Sequence, residues 1–151
     1  GQNYGAKNYD RIAKTYKIVL SNILILGGII TVIFVFFPRP LYGIFFKDEK
    51  MITLGISYLS IVGFSQLFMC AEITTSGAFN GMGKTLQPTL ISIIFTSLRI
   101  PIALILIPLL GLNGIWWSIS LTSIAKGILV VVLFLIVLKK IDVKETKWSI
   151  K

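Results

Sequence analysis

Histidine is absent from this 151-residue sequence, and cysteine occurs once, as Cys70. A single cysteine forms no intrachain disulfide, and without histidine beside it no zinc site can be assembled. The commonest general base and neutral-pH switch is missing as well, so any proton chemistry falls to carboxylates. These are scarce too: six Asp and Glu stand against fifteen Lys and Arg, for a net charge of +9. There is no Ser–His–Asp set, no carboxylate pair placed for hydrolysis, no metal-ligand cluster and no glycine fingerprint. The sequence therefore points away from enzymes and implies neither a metal nor an organic cofactor.

What is abundant is apolar: 55% of the residues, with a mean hydropathy of +0.86 and only 14% charged residues. A soluble domain carries about 25% charged residues, and it does not gather them between long uncharged runs. The pattern is that of an all-α, polytopic membrane protein. The basic residues flank the apolar runs, as the positive-inside bias requires, and no soluble basic face remains to hold nucleic acid. The partner implied by composition is the lipid bilayer.

Four spans are expected, at about 18–37, 51–80, 88–110 and 115–138. The first seventeen residues are polar and basic, show no signal peptide, and read as the end of a preceding helix and a loop; Asn8 or Asp10 is placed to cap a helix beginning near Arg11. The first run is twenty residues, roughly 30 Å of helix, which matches one hydrocarbon core. Pro38 and Pro40 close it, and residues 41–50 form a short amphipathic linker with Phe45 and Phe46 at headgroup level. The second run is longer than one span needs, so tilt is expected. Gly77 and Gly81 give it a GxxxG spacing suited to helix packing. The GMGKT turn at 81–85 is no phosphate loop: the position that a Walker A motif requires to be Gly is Ala78, and no strand precedes it. In the third span Pro101 removes the amide that the Ser97 carbonyl would accept, which predicts a kink. GLNG at 111–114 is a tight turn, Trp116 and Trp117 anchor the fourth span, and residues 139–151 form a basic tail. With four spans, both termini and the 81–87 turn share one side. That side holds ten Lys and Arg against three opposite, which predicts cytoplasmic termini.

Three ionisable residues fall inside the spans: Glu72, Arg99 and Lys126. Counted from the basic residues at the span ends, Lys84 and Lys139, they lie about 18, 22 and 20 Å deep, one common layer near the midplane. Charges inside hydrocarbon are costly and mark pathways or binding sites. Two readings stand. One is a polar cluster facing a cavity, with Glu72 answering Arg99 or Lys126. The other is a structural ion pair locking helices together, with Lys126 snorkelling along a groove. Either way the layer is one negative charge short. Gln66, Ser65, Thr74, Thr75 and Thr96 supply neutral hydrogen bonds at neighbouring levels.

GQNYGA, NYDRIA, the SGAFNGMGKTLQPTLIS hairpin, LRIP within the third span and GLNGIWWSIS occur in order across nearly the whole chain. In these segments the sequence resembles the C-terminal lobe of multidrug and toxic compound extrusion (MATE) transporters. The resemblance implies a fragment. The family has twelve helices in two six-helix lobes and exports cationic or amphipathic drugs by alternating access, driven by Na⁺ or H⁺. The spans here would be helices nine to twelve, most of one lobe, in the plasma membrane and dependent on the remaining helices of the full transporter. Some branches carry an ion-coupling acid in the tenth helix, where Glu72 lies, while others carry it in the other lobe. The resemblance thus implies that Glu72 binds the coupling ion or a cationic drug, with Arg99 setting its charge state. Lys126 departs from the plain apolar pattern of a twelfth helix. Two other readings stay open: a lipid-linked oligosaccharide flippase of the same superfamily, with Arg99 and Lys126 on an anionic substrate, and a non-transporting four-helix subunit with Gly77 and Gly81 at a dimer contact.

Overall fold

A computed structural model describes residues 1–146. It is all helix: α1 (Gln2–Gly5), α2 (Tyr9–Phe36), α3 (Pro38–Phe45), α4 (Glu49–Gly81), α5 (Leu86–Leu110) and α6 (Leu112–Thr146). Helices α2, α4, α5 and α6 are each long and apolar enough to cross a membrane. The expected spans are all present, and the differences lie at their ends. α2 begins at Tyr9 with Asn8 as its N-cap, but the Asn8 side chain makes no capping hydrogen bond. The linker expected at 41–50 is helical from Pro38. Two prolines fit that first turn because its amides have no helical partner to lose. α4 starts where the Asp48 side chain accepts from the Lys50 amide at 3.0 Å. Its 33 residues extend for about 50 Å, well beyond one hydrocarbon core. The four-residue GLNG turn shrinks to Gly111, whose φ of 58° suits glycine, so α6 begins at Leu112. The basic tail is not a separate segment at its start, because α6 runs on to Thr146; the remainder lies outside the described residues.

The helices stand in a row. α2 packs on α4, α4 on α6, and α6 on α5, with α3 laid against α4. The central contact is a seam between α4 and α6, which run in the same direction. On α4 the residues Tyr58, Val62, Ser65, Glu72 and Phe79 recur with heptad spacing, and on α6 so do Trp116, Ser120, Ser123, Gly127, Val130 and Phe134. A 3.5-residue repeat keeps one stripe of each helix against its neighbour through a left-handed crossing. Tyr58 meets Trp116 edge-on at 5.0 Å, and Phe79 meets Phe134 edge-on at 4.9 Å. Between these aromatic ends the seam is small and polar. A Cβ added to Gly127 would stand 2.5 Å from the Phe68 carbonyl oxygen, so only glycine lets the backbones come this close.

Other glycines set the remaining contacts. A Cβ on Gly27 would meet the Cys70 sulfur at 3.2 Å, joining α2 to α4, and one on Gly114 would meet the Leu106 backbone at 2.6 Å, joining α6 to α5. Gly77 behaves differently from its expected packing role. It is exposed, with nothing within 4 Å of an added Cβ, and Gly81 approaches only Gly1. Across the row, at the same end of the helices, Tyr16, Phe79, Met82, Ile91, Val130 and Phe134 form the apolar core. The outward faces are apolar as well: Ile25, Leu104, Ile105 and Leu109 are 63–76% exposed, which suits hydrocarbon and not water.

Replacement of Gly127 by Ala is expected to force α4 and α6 apart and cost about 1–3 kcal/mol. Gly28→Ala, where a Cβ meets nothing within 4 Å, is expected to leave stability unchanged or raise it by up to about 1 kcal/mol. Thermal unfolding of the purified protein in detergent distinguishes the two, and equal melting temperatures would refute the close approach.

Candidate functional site

The heptad register of α4 brings Glu72 to the seam, and α6 answers with Lys126. Glu72 Oε2 and Lys126 Nζ are 3.0 Å apart, with side chains only 14% and 9% exposed. An ion pair this deep survives because neither partner alone tolerates hydrocarbon, and mutual attraction strengthens where water is excluded. Of the two partners the sequence allowed for Glu72, the structure selects Lys126. Lys126 does not snorkel away; its charged end stays in the seam.

Arg99 goes elsewhere. It lies near the middle of α5 and reaches α6 one helical turn before Lys126. Its Nε donates to Thr122 Oγ1 and its Nη2 to Ser123 Oγ, each at 3.1 Å. Thr122 donates in turn to the Ser118 carbonyl at 2.7 Å and shares a longer bond with that of Ile119. Both hydroxyl residues are buried, Thr122 at 3% exposure and Ser123 at none. The common layer is therefore real as a level but divided in its chemistry. α6 stands between α4 and α5 and carries the Glu72 pair and the Arg99 contact about 5–6 Å apart along its axis. Arg99 forms no ion pair among the described residues.

The other expected residues are placed as follows. Gln66 makes no hydrogen bond among the described residues and stands six positions before Glu72, which turns it about 120° away on α4. Pro101 sits inside an unbroken α5, on its exposed face. Thr75 bonds Tyr16 of α2 at 2.8 Å and its own helix at Ala71, so it ties α2 to α4 and does not enter the charged layer. Thr74, Gly77 and Gly81 line a groove of about 260 Å³ together with Tyr4 and Thr15. Among the described residues no group of three or more His, Cys, Asp and Glu gathers to hold a metal ion. The residues that sequence reasoning missed are Thr122 and Ser123. A signal for them was present: the segment 118–123, SISLTS, places four hydroxyls in six residues inside an apolar span.

A family model described as MatE matches residues 1–105. Over 107 residues the chain is 33% identical to "Probable multidrug resistance protein NorM" of Thermotoga maritima, covering 69% of this chain and 23% of that protein. Over 138 residues it is 25% identical to "Probable multidrug resistance protein YoeA" of Bacillus subtilis, covering 87% of this chain and 30% of that protein. The chain thus spans about a quarter to a third of the length of the curated relatives it matches.

Lys126→Met leaves the Glu72 carboxylate buried without its partner and is expected to cost about 3–5 kcal/mol of stability. Adding Glu72→Leu to the same protein is expected to recover most of that loss, because an apolar pair replaces the ion pair. The check is a double-mutant cycle by denaturant or thermal unfolding; strictly additive effects would show that the two side chains do not interact.

Proposed function

The chain belongs to the MatE family, and from that premise we propose that it is part of a secondary antiporter that exports cationic or amphipathic compounds. The activity proposed is transport and not catalysis. The names of the relatives, both probable multidrug resistance proteins, support drug export as the activity. The chain would contribute four helices of one lobe, the rest of the transporter supplying the opposite wall of the cavity.

The observation that carries this reading is the buried Glu72–Lys126 pair at the centre of the α4–α6 seam. A carboxylate at this depth attracts a cation, and Lys126 occupies it through one oxygen, Oε2. In the proposed cycle Lys126 acts as a tethered competitor. A coupling Na⁺ or H⁺, or the cationic end of the cargo, displaces the ammonium from Glu72, and the ammonium returns when that cation leaves. The exchange alters the charge held in the seam and so biases which state the α4–α6 contact favours. Pro101 adds a bend in α5 that differs between inward-open and outward-open states, since its missing amide leaves the Ser97 carbonyl without a helical partner.

Orientation follows the basic residues, with both ends of this segment in the cytoplasm of a cell membrane. A reporter that fluoresces only when folded in the cytoplasm, fused after Lys151, is expected to be bright; a dark fusion of normal abundance would reverse the topology.

In the complete transporter, Glu72→Gln is expected to lower drug efflux by at least about tenfold at normal expression and folding, since a charge-assisted contact is lost. Lys47→Gln, at an exposed position, serves as the control. Undiminished efflux by a folded Glu72→Gln protein would remove Glu72 from the transport cycle and leave the pair with a structural role.

A further inference from the structure

The charge balance of the membrane layer leaves one group unanswered. Glu72 is the sole carboxylate within the membrane core of a span, and Lys126 holds it at 3.0 Å. Asp10, Asp48 and Glu49 lie at helix starts. Asp142 and Glu145 belong to the last turns of α6, about five turns or more beyond Thr122. Arg99 therefore carries a positive charge at mid-membrane with no counter-charge among the described residues. A guanidinium keeps its charge under all ordinary conditions, so it cannot escape the cost by neutralising.

The manner in which Arg99 is held is specific. Thr122 and Ser123 take the edge formed by Nε and Nη2, and both hydroxyl residues are themselves buried. Nη1 makes no hydrogen bond among the described residues. Two neutral hydroxyls thus fix the plane of the guanidinium through one edge and leave the terminal fork, Nη1 with the second hydrogen of Nη2, free. That fork has the spacing of a carboxylate and engages it through two parallel bonds.

We propose that Arg99 is a carboxylate-binding site. The proposal rests on the transport reading and deepens it: amphipathic cargo would include zwitterions, with the cationic end answered at Glu72 and the carboxylate at Arg99, about one helical turn away along α6. The same chemistry can be met by a carboxylate of the transporter lying outside this chain, and the experiment separates the two sources.

The probes are a xanthene dye bearing a free benzoate and its methyl ester, which share the same cationic ring system. Binding of each to the purified complete transporter is read by fluorescence anisotropy, beside the melting temperature, for the parent, Arg99→Gln, Arg99→Lys and Ser123→Ala. A substrate site predicts that the parent binds the acid about tenfold more tightly than the ester, the worth of a charge-assisted contact. Arg99→Gln abolishes that preference, while Arg99→Lys and Ser123→Ala, which spoil the fork or its support, keep only part of it. A carboxylate from the protein itself predicts no acid preference in the parent, a lower melting temperature in Arg99→Gln and restoration in Arg99→Lys. The proposal is overturned if the parent shows no preference and Arg99→Gln melts normally, or melts low without rescue by Arg99→Lys. Export of the ester by the parent reads the transport proposal independently of all these outcomes.

Discussion

The close approach of α4 and α6 is the constraint on which the remaining structure depends. In a bilayer, burying one apolar helix against another removes no water, so helices associate through tight packing and polar contacts. Gly127 against the Phe68 backbone supplies the first, and Glu72 with Lys126 supplies the second. The aromatic pairs at either end, Tyr58 with Trp116 and Phe79 with Phe134, bracket the small polar stretch between them. α2 and α5 are then hung on this pair from opposite sides. α2 closes on α4 through Gly27 and the Tyr16–Thr75 hydrogen bond, and α5 closes on α6 through Gly114 and the Arg99 hydroxyl contacts.

This arrangement explains how α6 can hold two cations in so apolar a chain. Each cationic group touching α6 is answered in its own way: Lys126 by a carboxylate from one neighbouring helix, Arg99 by two hydroxyls of α6 itself. The first arrangement neutralises charge, and the second only solvates it. A solvated charge in a region of low dielectric still attracts an anion, whereas a neutralised pair must be broken before either member binds anything else. The two arrangements therefore differ in their electrostatics although they lie about one helical turn apart.

The row of helices also leaves much apolar surface uncovered, and the chain covers only about a quarter to a third of the length of its curated relatives. Gly77 belongs to this open surface. Its GxxxG spacing with Gly81 is a genuine pattern, yet among the described residues the close helix contacts fall to other glycines, among them Gly27, Gly63, Gly114 and Gly127, each set against a neighbouring helix. Spacing along one helix states which face is flat; it does not state which neighbour arrives there.

Number, type and approximate limits of the spans were determined by the sequence alone, because the cost of an unsatisfied backbone in hydrocarbon leaves an apolar run of about twenty residues little choice but helix. Equal depth of Glu72, Arg99 and Lys126 was legible for the same reason, since helix rise converts residue counts into distance. The order of the helices in the row was beyond it. That order depends on which faces come within contact, and each face here is decided by one or two glycines and a heptad register shared between segments more than fifty residues apart. Only the tertiary structure, by setting α6 between α4 and α5, gave Glu72 to Lys126 and left Arg99 to the hydroxyls of Thr122 and Ser123.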